Sequence, residues 1–189
     1  MPEPQADFPI IETERLILDS ITRDHYQWYF DHFSIKEIIE GQGFEGPKDV
    51  ETAKEELNHY IVGLFEEGKG IRWGIRLKES NEMIGSCGFY AWNKDFKKAD
   101  MGYDLQPAYW GQGIMVEAMT EAIRYGFEEM GLNRIAVTIM ATNPRSRSLI
   151  KKLGFVQEGI LRDYSIWKGE YVDEHLFSLL RKDWESSKK

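Results

Sequence analysis

The chain runs to 189 residues, 42% hydrophobic, 13% aromatic and 30% charged, which excludes a disordered protein and suits one globular domain. Its 24 Lys and Arg stand against 32 Asp and Glu, a formal net charge of −8 that repels a phosphate backbone and argues against nucleic acid as a partner. Cys87 is the single cysteine, so neither an intramolecular disulfide nor a cysteine-built metal cluster can form.

Residues 1–13 are Pro-rich and acidic, read as a loose lead-in, and lack the basic and apolar regions of a signal peptide. Arg15–Ile21 reads as the first strand. Tyr26, Trp28, Tyr29, Phe30 and Phe33 crowd a short helical region. Val50, Ala53, Leu57, Ile61 and Leu64 then recur at steps of three and four, one face of an amphipathic helix that Pro47 introduces. After Gly70 the period changes. Ile71–Lys78, Met83–Trp92 and Ala99–Leu105 read as strands joined by turns at 79–82 and 93–98, and Pro107 ends the third. A helix is predicted over Gln112–Met130, stopped by Gly131. Asn133–Met140 reads as a strand, Pro144–Leu153 as a short basic helix, and Phe155–Tyr164 and Tyr171–Leu180 as closing strands around a Lys168-Gly169 turn. No repeat or linker divides the chain, so residues 1–189 read as one α/β or α+β domain. No apolar run reaches the ~18 residues of a membrane span, and the expected location is the cytoplasm.

Two glycine clusters stand out. Gly41-Gln42-Gly43-Phe44-Glu45-Gly46 has the letters of a dinucleotide fingerprint but follows a helical rather than a strand-like segment, and reads as a flexible loop between helices. Tyr109-Trp110-Gly111-Gln112-Gly113-Ile114-Met115 lies between a strand and the long helix. Backbone N–H groups there lack helical partners and sit at the positive end of the helix dipole. That makes either a pyrophosphate cradle or an ordinary strand-to-helix turn. Asn143-Pro144-Arg145-Ser146 opens the next helix, where Asn and Ser serve most often as caps. The four histidines, His25, His32, His59 and His175, show no metal-ligand spacing, and no metal is expected. Cys87 has no His or Lys beside it and reads as a buried structural thiol.

In this order and spacing the sequence resembles the GNAT superfamily of acyl-CoA-dependent N-acetyltransferases, and within it the Rim-type group that acetylates ribosomal-protein N-termini. The motifs that carry the likeness are Thr13-Glu14-Arg15-Leu16-Ile17-Leu18, Ala99-Asp100-Met101-Gly102-Tyr103, Trp110-Gly111-Gln112-Gly113-Ile114-Met115, Asn143-Pro144-Arg145-Ser146, Leu153-Gly154-Phe155 and Glu158-Gly159. The resemblance implies a GNAT-like α+β fold, a central twisted, mostly antiparallel sheet of about seven strands flanked by about four helices. It implies acetyl-CoA as acyl donor, held by Leu105, Gln106, Trp110, Gly111, Gln112, Gly113, Ile114, Met115, Asn143 and Ser146. Leu105 and Gln106 would pair with the pantetheine arm, and Asn143 would hold it.

Three departures from the family pattern bear on catalysis. Ile150 stands where many members place a tyrosine acid, and Ser146 resembles the serine that some Rim-type enzymes place near the CoA sulfur instead. Asp100 occupies the place of a glutamate base found in several members. Asp104 shares its strand face and is a second candidate, and either aspartate can equally be structural. Ser165 stands where some Rim-type enzymes carry a glutamate base. An α-amine with pKa near 8 is roughly 10% neutral at pH 7, against about 0.04% for a lysine-like amine. A weak base therefore suits an α-amine. The expected reaction is direct acetyl transfer to a primary amine, with a protein or peptide N-terminus as the favoured acceptor. An antibiotic or polyamine is the alternative, and a non-catalytic CoA-binding module the alternative of another class. A homodimer is allowed by the sequence.

Overall fold

The period-two segments of the chain assemble into one sheet of eight strands in a computed structural model that describes residues 7–188. In chain order these are β1 (Ile11–Glu12), β2 (Leu16–Ser20), β3 (Ile71–Leu77), β4 (Met83–Asn93), β5 (Lys98–Leu105), β6 (Arg134–Met140), β7 (Val156–Trp167) and β8 (Glu170–Leu180). They lie side by side as β1-β2-β3-β4-β5-β6-β8-β7, antiparallel except for β5 and β6. The helices are α1 (Tyr26–His32), α2 (Lys36–Gln42), α3 (Val50–Leu57), α4 (Gly63–Glu66), α5 (Ile114–Glu128), α6 (Pro144–Lys152) and α7 (Arg181–Ser187).

The sequence reading anticipates seven of these strands; the eighth, β1, comes from the expected lead-in. Over residues 7–13 that lead-in is not loose. Ile11 pairs with Leu18, the Pro9 carbonyl accepts a hydrogen bond from Trp73 Nε1 at 2.8 Å, and the Phe8 ring lies 4.8 Å from that of Phe65. Residues 1–6 lie outside the described residues. The helix expected over 50–64 is interrupted by a π-helical turn, Asn58–Val62, between α3 and α4. Its N-terminus is capped by Asp49, whose carboxylate accepts from Thr52 N at 2.8 Å, so Pro47 stands outside it. Among the described residues, no helix is long and apolar enough to cross a membrane.

One irregularity of the sheet positions everything that follows. The parallel strands β5 and β6 pair only at Lys98↔Arg134, Ala99↔Ile135 and Asp100↔Ala136. Beyond that point β5 stays paired with β4 as far as Leu105, and β6 stays paired with β8 as far as Met140. Each strand follows its outer neighbour, and the sheet opens into a V. Side chains alternate along β5: Tyr103 meets Ser146 of α6 on one face, and Asp104 meets His32 of α1 on the other. The larger core gathers Met119, Ile123 and Phe127 of α5 with Trp73, Phe89 and Met101 of the sheet. A smaller cluster packs Tyr29, Phe33, Ile38, Ala53, Leu57 and Ile61 beneath α1–α3. Each large apolar side chain buried this way contributes about 1.5–3 kcal/mol.

Candidate active site

The V is the mouth of a cavity of about 1080 Å³ that passes between the unpaired ends of β5 and β6. It reaches Trp110, Gly111, Gly113, Met115, Asn143 and Ser146 on the α5/α6 side. On the other side it reaches Tyr29, Phe33, Glu37, Glu56, Tyr60 and Arg72. The π-helical turn that presents Tyr60 thus borders the cavity, a common setting for such bulges.

The α5 wall is built from backbone. Gly111 and Gly113 have φ of +76° and +78°, a region open to glycine and costly for other residues. They turn the chain so sharply that α5 begins at Ile114, two residues later than the sequence pattern suggests, with no side chain capping its first N–H groups. The loop is tied down by the Thr13–Leu18 motif. Arg15 Nε donates to Glu117 Oε2 at 2.7 Å, the Arg15 guanidinium also reaches the Gln112 carbonyl at 3.0 Å, and Thr13 donates to Glu117 Oε1 at 2.5 Å. Trp110 is anchored by its Nε1, which donates to the Leu105 carbonyl at 2.8 Å, and the Arg145 guanidinium stacks 3.8 Å from its ring centroid. Asn143 Oδ1 accepts from Ser146 N at 3.0 Å as the α6 cap, while its Nδ2 donates to the Gly41 carbonyl at 3.0 Å. Ile150 is fully buried, so α6 offers no phenol at that position. The Ser146 hydroxyl instead meets the hydroxyl of Tyr103.

Leu105, Trp110, Gly111, Gly113, Ile114, Met115, Asn143 and Ser146 therefore share one cavity. Three expected site residues are not among its lining. Gln112 turns its amide back to the Ala108 carbonyl at 2.9 Å. Gln106 faces a separate, smaller cavity with His25, His32 and Arg76. Asp100 sits where β5 and β6 are still paired, and burial raises its carboxyl against the pull of Lys98 and Arg134.

The opposite wall is built from side chains. Asp104 lines the cavity but is fully committed: His32 Nε2 meets its Oδ1 at 2.6 Å, and Arg72 and Ser86 both donate to its Oδ2, Ser86 at 2.7 Å. Burial pushes the Asp104 carboxyl up, but Arg72 and His32, with hydrogen bonds from His32 and Ser86, outweigh it and bring it to about 2. It therefore stays ionised and is a structural carboxylate, not a base. Arg72 reaches over β4 to this carboxylate, and a Cβ at Gly102 would lie 3.0 Å from its guanidinium. Glu56 is the free carboxyl that sequence reasoning missed. It lines the cavity, burial raises its pKa, and Tyr29 donates a long hydrogen bond of 3.4 Å to Oε2. In the sequence Glu56 looks like any polar position on an amphipathic helix.

The first glycine cluster also has a place. Gly41 and Gln42 are the end of α2 rather than part of a flexible loop, and Gln42 Nε2 donates to the Tyr103 carbonyl at 2.6 Å. With the Asn143–Gly41 bond, α2 thereby touches both lips of the V. Of the basic residues on α6, Arg145 and Lys152 line the cavity. Cys87 is fully buried and its thiol is pushed up to about 12 by that burial, which leaves it inert. The arrangement has two poles. Backbone N–H groups, Arg145 and Lys152 suit anionic phosphates at one end, and Glu37, Glu40, Glu56 and Glu174 suit a cationic amine at the other.

Comparison with known proteins accords with this geometry. Residues 15–156 match the family model described as "Acetyltransferase (GNAT) domain". A Bacillus subtilis (strain 168) protein named "Uncharacterized N-acetyltransferase YoaA" is 35% identical over 92% of this chain and 98% of its own length. The "[Ribosomal protein uS5]-alanine N-acetyltransferase" of Escherichia coli (strain K12) is 32% identical over 66% of this chain and 64% of its own length. A spermidine N-acetyltransferase from Vibrio cholerae, solved in complex with CoA and spermine, superposes with a TM-score of 0.81 at 19% identity, covering 92% of this chain and 99% of that one.

Proposed function

The chain belongs to the GNAT acetyltransferase family, and on that premise we propose that it moves the acetyl group of acetyl-CoA directly to the α-amine of a protein or peptide N-terminus. The observation that carries this reading is the two-poled cavity through the sheet. A thioester entering beside α5 meets an amine entering from α1–α4 without either crossing the other's path. The pyrophosphate would rest on the N–H groups around Gly111–Ile114, with Arg145 and Lys152 nearby and the pantetheine arm along Leu105 and Asn143. The neutral amine attacks the thioester carbonyl, backbone N–H groups along β5 steady the oxyanion, and Ser146 faces the departing sulfur.

The proton balance supports this choice of acceptor. Asp104 is held at about 2, and Glu40 is lowered by its hydrogen-bonded ion pair with Lys168. Glu56, raised by burial, is the cavity carboxyl best able to collect a proton, directly or through water. A single weak base of this kind serves an α-amine, already partly neutral at pH 7, far better than an amine of pKa near 10.4. The four cavity glutamates also favour a second reading, a small polycationic amine.

Calorimetric titration with acetyl-CoA, with NADH as control, tests the donor: micromolar binding of acetyl-CoA alone is expected, and its absence would reject the cradle. CoA release with peptides bearing free α-amines, set against spermidine, then tests the acceptor. Peptides are expected to be turned over faster, and the reverse order would replace the first reading with the second.

A further inference from the structure

Two hydroxyls meet on the α5/α6 side of the cavity, where the sheet opens between β5 and β6: Tyr103 on β5 and Ser146 in the first turn of α6. Both line the cavity. Tyr103 is half-buried and packs against the larger core, and its carbonyl is fixed by Gln42. Ser146 is fixed through its backbone N–H, which Asn143 Oδ1 accepts at 3.0 Å, so its hydroxyl is not consumed in capping. A phenol is a stronger acid than an alcohol, so the favoured arrangement has Tyr103 donating and Ser146 Oγ accepting. The one hydrogen on Ser146 is then turned away from Tyr103, into the cavity.

We propose that Tyr103 is a positioning residue that acts through Ser146, holding the serine O–H toward the sulfur of the departing CoA. This rests on the reading of the cavity as an acetyl-CoA site. As the tetrahedral intermediate collapses, the C–S bond breaks and its electron pair goes to sulfur. The Ser146 O–H bond breaks, and its proton forms the S–H bond. Ser146 takes the proton of Tyr103, and Tyr103 recovers one from water. The proton released by the acylated amine passes to water or Glu56. Burial raises the Tyr103 phenol to about 12, so the hydroxyl is protonated and available as a donor across the working range. A tyrosine placed on a strand thus supplies what Ile150, sealed in the core, cannot.

The test is a double-mutant cycle on the full chain with Tyr103→Phe, Ser146→Ala and the pair. CoA release is measured with an α-amine peptide and, separately, with water as the only acceptor. Thiolate departure is common to both reactions, so failure of the peptide arm alone rejects the acceptor reading and leaves this inference standing on the hydrolysis arm. Each single variant is expected to lose roughly 10–100-fold in kcat, with KM for acetyl-CoA within about twofold. The double variant is expected to be no slower than Ser146→Ala, and Ser146→Thr, which keeps the hydroxyl, to recover most of the rate. Full kcat in Tyr103→Phe would overturn the proposal, as would losses that multiply in the double variant.

Discussion

On the α5 side of the cavity, a ligand meets backbone: two glycines with positive φ and the uncapped start of a helix. On the α1 side it meets side chains held by other side chains, with Asp104 clasped by His32, Arg72 and Ser86 from three separate elements. The shape of the first wall is local, set by a loop and the turn that follows it, although Thr13 and Arg15 tie it down from far along the chain. The second exists only when α1, β3, β4 and β5 are all in place. The consequence is a division of labour. The backbone wall can be damaged without unfolding the protein, whereas the side-chain wall carries stability as well as function.

The largest expected effect separates these roles. Asp104→Ala leaves Arg72 without its buried partner and should cost about 3–5 kcal/mol, read as a lower urea midpoint with an unchanged m-value. The same carboxylate gives a pH dependence. Its folded pKa of about 2 lies below the ordinary 3.8, so the folded state binds fewer protons than the unfolded chain between those values. The stabilisation is complete above about pH 5 and is lost progressively as the pH falls through the folded value of about 2. Wild type should therefore lose stability over that acid window more steeply than Asp104→Ala in parallel urea titrations.

Gly111→Pro attacks the other wall. Proline cannot adopt φ of +76°, so acetyl-CoA affinity should fall roughly tenfold or more, about 1.4 kcal/mol. Calorimetry should show this while the urea midpoint falls much less than in Asp104→Ala. Equal losses of stability in the two variants would erase the distinction between the walls.

Smaller effects sharpen the picture. Glu56→Gln should lower kcat/KM for a peptide acceptor by about tenfold and remove the acid limb of its pH profile. That limb should lie above the usual glutamate range, since burial raises this carboxyl. Affinity for acetyl-CoA should not change. Arg145→Ala removes the stack on Trp110 and should weaken acetyl-CoA binding by about two- to fivefold, in line with about 0.5–1 kcal/mol for such a contact.

The amino-acid sequence by itself determined the alternation of strands and helices, the glycine loop before α5 and the Asn143 cap of α6. Each depends on residues close together in the chain: periodicity, positive-φ glycines and caps are local physics. The same locality made the Lys168-Gly169 hairpin turn legible, with both residues at positive φ. Only the tertiary structure decided which carboxyl is free. Asp100, Asp104 and Glu56 differ little as letters. The first is held where β5 and β6 still pair, the second is neutralised by partners 18, 32 and 72 residues away, and the third is left half-desolvated in the cavity. Protonation depends on burial and on charges brought close by folding, and neither is written in the spacing of residues along the chain.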